Sequence, residues 1–213
     1  MRLIFKPSRK GLILINELLV LFGTPASGKD TISKELEILG TYEMLRKAKF
    51  GSGRSVGYRM LGQEPDPRQV ISSVSRYGNK YYVLESELQE VIERNRIPIV
   101  CTTSVTEVTD VRVWADKHGF NLVLVGLVTS FSTFKNRSNQ RGDVDTQSRA
   151  DSWLLGYEAI RTIESQFDAL FNTEKYIPRE TANQINQGSK TKDEIPAHPV
   201  VVPVPSLVDF GEV

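Results

Sequence analysis

The chain has 213 residues, enough for one domain of ordinary to large size that buries a core without disulfides or metals. Hydrophobic residues at 39% and charged residues at 25% give a soluble globular composition, neither disordered nor membrane-like. Lys and Arg (27) nearly balance Asp and Glu (26), for a net charge of +1, so the chain lacks the basic field of a nucleic-acid binder and must hold any anion locally.

At the N-terminus the apolar runs are broken by Lys6-Pro7-Ser8-Arg9-Lys10 and by Asn16-Glu17. A signal peptide needs an unbroken apolar core and a membrane span roughly 20 apolar residues, so neither is expected. The single cysteine, Cys101, forms no intrachain disulfide, and the cytoplasm is the expected compartment. Leu12–Ile15 and Leu18–Phe22 read as short strands, the second ending at Gly23. Ile32, Leu36 and Leu39 then recur at helical spacing over Thr31–Leu39, with Gly40 as the stop. Residues 51–67 are rich in Gly and Pro and read as a mobile loop. A helix is predicted over Leu84–Arg94, with strands over Ile97–Cys101 and Leu122–Val128 on either side of a helix at Val105–His118. A long amphipathic helix over Thr146–Phe167 precedes a last short strand, Ala169–Asn172. Strands alternating with helices predict an α/β fold in three layers with a parallel sheet. One domain is expected over 1–177, with an insertion at about 41–83 and a further inserted segment at about 134–148. Residues 178–213 read as an extension, polar at first and then a proline-flanked valine run; a surface appendage or a homodimer contact suits it best.

The segment Gly23-Thr24-Pro25-Ala26-Ser27-Gly28-Lys29-Asp30-Thr31 fits the phosphate-binding-loop spacing, between a strand and a helix. Glycines let successive backbone N–H groups turn inward onto phosphate oxygens. The helix that follows presents its positive end to the same anion, and Lys29 supplies a point charge. Asp30 stands where such loops carry Ser or Thr, and the hydroxyl comes one place later at Thr31. Asp30 therefore either helps hold a hydrated Mg²⁺ or caps the helix start. Arg137, Arg141 and Arg149 cluster late in the chain, after the strand Leu122–Val128. As a lid they would close over a transferring phosphoryl group and exclude water; otherwise they form a solvated basic helix face.

With these motifs the chain resembles the guanylate kinase family of nucleoside monophosphate kinases, thinly, from about Leu18 to Phe171. The loop is similar to the family's Gly-Lys-Gly-Thr or Gly-Lys-Ser-Thr. Gly78-Asn79-Lys80-Tyr81-Tyr82-Val83 resembles its Gly-Asn-x-Tyr-Gly-Thr segment, and Phe167-Asp168-Ala169-Leu170 its aromatic-Asp motif. The resemblance implies a P-loop NTPase fold, ATP with Mg²⁺, and Arg137, Arg141 and Arg149 as lid arginines. Tyr81 would contact the acceptor, and Lys49 or Arg54 would replace the Thr-Thr-Arg motif of the acceptor-phosphate site. Ser72 stands where guanylate kinases read guanine with a glutamate, and Tyr82 and Val83 replace a Gly and a Thr. The loop is also similar to that of the ribose 1,5-bisphosphate kinase branch.

His118 before Gly119 suits a helix C-terminus. Cys101 at a strand end reads as packing, and His118 and His198 with one cysteine make no zinc site. Glu107 and Asp110 lie just past a strand, where such sheets bind ligands, and each is a candidate metal-ordering carboxylate or base, or else an acid at a solvated helix start. Of Tyr77, Tyr81 and Tyr82, Tyr81 is the candidate for stacking on a nucleobase. The sequence thus predicts ATP-dependent phosphoryl transfer to a small phosphorylated acceptor, a nucleoside or deoxynucleoside monophosphate, with no nucleic-acid or membrane partner. A phosphosugar kinase and a catalytically inactive guanylate-kinase-like binding module are the alternatives.

Overall fold

A computed structural model describes residues 16–53, 55, 57–76, 78–142 and 146–197. The expectations for Leu12–Ile15, Arg54, Tyr77, His198 and the valine run lie outside the described residues.

β1 (Glu17–Gly23) is the middle strand of the main sheet, and its apolar run is buried on both faces. Leu18, Val20 and Phe22 enter one core cluster, while Leu19 and Leu21 enter another on the opposite face. Burial on both sides explains the continuous apolar run, in place of the alternation of a half-exposed strand. On one face lies α1 (Lys29–Ile38) with α6 (Pro178–Asn186). On the other lie α2 (Glu85–Glu93), α3 (Val105–His118) and α5 (Thr146–Thr162). Joined by β2 (Tyr42–Met44), β7 (Ile97–Thr102), β8 (Asn121–Val128) and β9 (Ala169–Asn172), the sheet runs β2-β7-β1-β8-β9, all parallel. This is the expected three-layer α/β fold. β1 is the switch point, because the chain leaves it towards β2 on one side and reaches β8 on the other.

A second sheet is inserted between β2 and α2. It comprises β3 (Ala48–Phe50), β4 (Arg59–Leu61), β5 (Val70–Arg76) and β6 (Asn79–Leu84), in the order β4-β3-β6-β5. β4 lies inside the 51–67 stretch expected to be loop. It pairs Ala48 with Arg59, Lys49 with Met60 and Phe50 with Leu61. Three residues are too few to print a strand pattern among glycines and prolines. The helix expected to reach Phe167 ends at Thr162, and a 3-10 turn follows at Glu164–Gln166. There the chain turns onto β8, with Asp168 accepting from the Leu124 N–H at 2.9 Å and donating its own N–H to the Leu124 carbonyl at 2.8 Å.

Beyond residue 177 the chain returns to the domain. Pro178 opens α6, where its missing N–H costs nothing, and Glu180 accepts from the Ile177 N–H. Thr181, Ala182 and Ile185 are buried, the last two packing in the cluster with Ile32 and Leu36 of α1. Thr191–Asp193 then runs beside β9: the Leu170 N–H donates to Thr191 O at 2.7 Å and Asp193 N–H to Leu170 O at 2.8 Å. A polar tail thereby satisfies an exposed sheet edge. Ile195 and Pro196 reach the aromatic cluster of Phe134, Trp153 and Tyr157, where the Tyr157 hydroxyl donates to Pro196 O at 2.9 Å. Among the described residues no helix is long and apolar enough to cross a membrane.

Candidate active site

The loop between β1 and α1 turns on two left-handed residues, Ala26 (φ 58°) and Gly28 (φ 91°). A left-handed backbone at a non-glycine residue is uncommon and marks strain held by its surroundings. At Gly23 the constraint is space: a Cβ would lie 2.5 Å from the Leu127 carbonyl oxygen and 2.5 Å from Ser27 Oγ. Lys29 folds back over the loop, donating to Gly23 O at 2.7 Å and Thr24 O at 2.8 Å. Burial of its ammonium lowers the Lys29 pKa to about 8, only partly offset by Cys101 and Asp30. Thr24 Oγ1 and Ser27 Oγ are buried in the loop without a hydrogen-bond partner. Such groups are costly unless a ligand or water completes them. Gly28 caps α1 with no side-chain bond, so Asp30 is not the helix cap.

Two cavities flank the start of α1. The first, of about 290 Å³, is a shelf lined by Ala26, Gly28, Thr31, Arg137, Arg141 and Tyr176, among others. Arg137 stands on α4 (Phe131–Gln140) and reaches 111 residues back along the chain, donating to Ala26 O at 2.9 Å. It also donates to Thr173 Oγ1 and Thr173 O, each at 3.2 Å. Burial pulls its pKa below the usual guanidinium value. Packing of Ala26 against Phe134, Trp153 and Tyr157 fixes α4 and α5 to the loop.

The second cavity, of about 250 Å³, is a cleft between the two sheets. Lys29, Asp30, Cys101 and Glu107 line it from the main sheet's side, and Tyr58, Arg76 and Tyr81 from the smaller sheet's. Lys47, in the connection between β2 and β3, forms an ion pair with Glu107. Tyr58 and Tyr81 are tilted with ring centroids 5.2 Å apart, and Lys49 Nζ lies 5.9 and 5.8 Å from them. Asp30 and Thr31 are neighbours in sequence but face different cavities, the cleft and the shelf respectively.

The structure therefore brings together Gly23, Ala26, Ser27, Gly28, Lys29, Asp30, Thr31, Arg137 and Arg141 around one loop, with Pro25 within it. Tyr81 lines the cleft. Lys49 is buried beside Tyr81 with its ammonium on Ser52 O at 2.6 Å, and it does not line the cavity. Arg149, half-buried on α5, lines neither cavity. Ser72 shares a strand face with Val74 and Arg76 but lies deeper, its hydroxyl donating to Asp110 Oδ2 at 2.7 Å on α3. Ser72 and Asp110 hold β5 to α3 and are absent from the cleft lining. Sequence reasoning missed Lys47, Tyr58, Arg76, Thr173 and Tyr176. For Arg76 a signal existed, because Ser72, Val74 and Arg76 alternate along β5. Cys101 packs as expected, with Ser33 Oγ 3.2 Å from its sulfur and burial pushing its thiol pKa up. His118 bonds Trp114 O at 2.8 Å beside Gly119 (φ 75°), a helix end as expected. Among the described residues no three His, Cys, Asp or Glu side chains converge on a metal position.

No family model matches the sequence, and no curated protein does. The fold has relatives among solved structures. A guanylate kinase from Anaplasma phagocytophilum superposes with a TM-score of 0.55 at 15% identity, over 81% of this chain and 84% of that one. Its fold is that of the P-loop kinases. The YorR protein of Bacillus subtilis, in complex with phosphorylated GDP, gives a TM-score of 0.48 at 17% identity, over 80% and 94% of the two chains. The protein APE1195 gives 0.44 at 14%, over 83% and 96%. At 15% identity the likeness to the guanylate kinase carries over the fold alone, and chemistry must be argued from the site. In that fold the loop and both cavities lie at the carboxyl end of the strands, where open parallel sheets bind ligands.

Proposed function

We propose that this protein transfers the γ-phosphoryl group of ATP to a small phosphorylated acceptor, a nucleoside or deoxynucleoside monophosphate. The observation that carries this reading is the pair of cation-lined cavities flanking the first turn of α1, the cleft with Lys29, Lys47 and Arg76 and the shelf with Arg137 and Arg141. Transfer between two anions needs that arrangement, a donor and an acceptor aligned across one point charge.

The triphosphate would lie along the loop, with backbone N–H groups of residues 24–29 on its β-phosphate. Lys29 would leave the carbonyls of Gly23 and Thr24 for β- and γ-oxygens, and its charged form is favoured by that exchange. Arg137 and Arg141 approach from the shelf, and Arg149 would join them only by moving with a closing lid. Tyr81 and Tyr58 would offer ring faces to the acceptor, with Lys49 and Ser72 on the same sheet in supporting places; Arg54, outside the described residues, is a further candidate for the acceptor's phosphate. An ionised acceptor phosphate oxygen attacks the γ-phosphorus as the bond to the bridging oxygen breaks. No side-chain base is required, because that oxygen carries no proton near pH 7.

Mg²⁺ fits this donor set. It keeps several waters and takes one or two protein oxygens plus phosphates, so a dense carboxylate cage is not needed. Thr31 on the shelf side or Asp30 on the cleft side would hold it, through water, and the ion would offset charge on the phosphates. A phosphosugar acceptor is the second reading, favoured by the lack of any carboxylate on β5 (Val70–Arg76) that could read a base.

The deciding experiment is Mg·ATP-dependent ADP release against nucleoside and deoxynucleoside monophosphates and ribose phosphates. Turnover with one acceptor class, lost in Lys29→Ala, is the expected result. Tight ATP binding with no turnover on any acceptor would replace the kinase with a binding module.

A further inference from the structure

Ser104-Val105-Thr106-Glu107 has the form of a capping box, in which the serine and the glutamate each satisfy the other's backbone N–H. Only half of it is made. Ser104 Oγ accepts from the Glu107 N–H at 3.4 Å, but the Ser104 N–H donates to Thr102 Oγ1 at 3.0 Å. The Glu107 carboxylate instead turns into the cleft and pairs with Lys47. Both side chains are well buried, Glu107 at 4% and Lys47 at 14% exposure. Lys29 and Arg76 line the same cavity. Glu107 is thus an anion of the protein's own, seated among the cations that an acceptor's phosphate would meet.

We infer that Glu107 is a resident anion of the acceptor cleft, exchanged for the acceptor's phosphate on Lys47, and that it sets a charge threshold for entry. Breaking a buried pair is costly unless each charge finds another partner. A singly charged ligand only replaces one carboxylate by another anion and gains little. A phosphate dianion satisfies Lys47 and has charge left for Arg76 and Lys29. The displaced carboxylate has a place to go, since position N3 of α3 lies in the positive field of the helix N-terminus. Glu107 is accordingly a specificity and positioning residue that acts through Lys47, not a group that touches the reacting atoms. The inference rests on the phosphoryl-transfer reading only for which phosphate ester enters.

The test is calorimetric binding of nucleoside 5′-monophosphates and of their singly charged methyl esters to the full chain with Mg·ATP analogue on the loop. Glu107→Gln is expected to tighten both ligands, by about tenfold for the methyl ester and less for the monophosphate, so that discrimination narrows. In turnover, KM for the acceptor falls. Lys47→Met weakens the monophosphate about tenfold or more, and the double variant matches Lys47→Met. If Glu107→Gln does not fold, Glu107→Asp shortens the carboxylate's reach to Lys47 and is expected to shift binding in the same direction. Weaker binding in either Glu107 variant, unchanged discrimination, or no binding to any variant overturns the inference. Tighter binding in Glu107→Gln without wild-type turnover keeps the inference and removes the kinase. Wild-type turnover with weaker binding in Glu107→Gln does the reverse.

Discussion

The two sides of the α1 N-terminus hold their cations in different ways. At the loop itself, Lys29 and Arg137 are restrained by neutral oxygens, the carbonyls of Gly23, Thr24, Ala26 and Thr173 with the Thr173 hydroxyl. On the acceptor side, Lys47 is held by a carboxylate. A cation resting on carbonyls is easily taken by a polyphosphate, because what it leaves behind is neutral. A cation paired to a carboxylate is released only to a ligand that outbids a charge. On the proposed reading, the donor half would attract and the acceptor half would select.

The largest break in that comparison comes from the loop's backbone. Gly23→Ala would press a methyl group onto the Leu127 carbonyl, a main-chain atom that cannot turn aside. We expect a loss of about 2–3 kcal/mol in stability, read by denaturant unfolding, together with loss of ATP binding. Next in size is Arg137→Met, which removes the tie between α4, the loop and Thr173. ATP affinity should fall about tenfold to a hundredfold, with acceptor KM unchanged. A change in acceptor KM of similar size would show that the two halves are not separable.

A smaller effect follows from the Lys29 pKa of about 8, lowered by burial from 10.5. In the empty chain the ammonium loses its proton above about pH 8, and bound phosphates restore it. Nucleotide binding should therefore take up a fraction of a proton at pH 8.5 and almost none at pH 7. Titration calorimetry in buffers of different ionisation enthalpy measures this. Affinity should weaken as pH rises past 8. The sign for folding is opposite: between about pH 8 and 10.5 the unfolded chain binds more protons than the folded one, so the Lys29 contribution to stability rises with pH. Uptake that is equal at pH 7 and 8.5 would place the ammonium in water rather than in the loop.

Legibility in the sequence divides along the same line. The donor half was readable because backbone geometry is written in contiguous residues: an apolar run, a glycine-rich turn and a helix from Lys29 to Ile38. Arg137 was readable as an arginine near the lid, though not its bonds to Ala26 and Thr173. The acceptor half depends on side chains brought together by pairing of short strands. β3 and β4 have three residues each, and the register of β3 on β6 decides that Lys49 stands beside Tyr81. No local pattern specifies such a register. The tail misled for a related reason: α6 buries only Thr181, Ala182 and Ile185, a stripe too narrow to stand out from its polar surroundings.

The smallest expected effect is at Ser72, and it separates position from role. The sequence resemblance leads one to expect Ser72 in a base-reading place, yet its hydroxyl is spent on Asp110 between β5 and α3. Ser72→Ala would remove one buried hydrogen bond and leave a half-exposed carboxylate able to find water. About 1 kcal/mol of stability should be lost, seen as a lower unfolding midpoint at unchanged slope. Preference among acceptors and acceptor KM should stay at wild-type values, because the strand face nearer the cleft belongs to Val74 and Arg76. A changed order of acceptors in Ser72→Ala would mean that β5 shifts on binding and brings Ser72 to the ligand, so that the acceptor half is selected by shape as well as by charge.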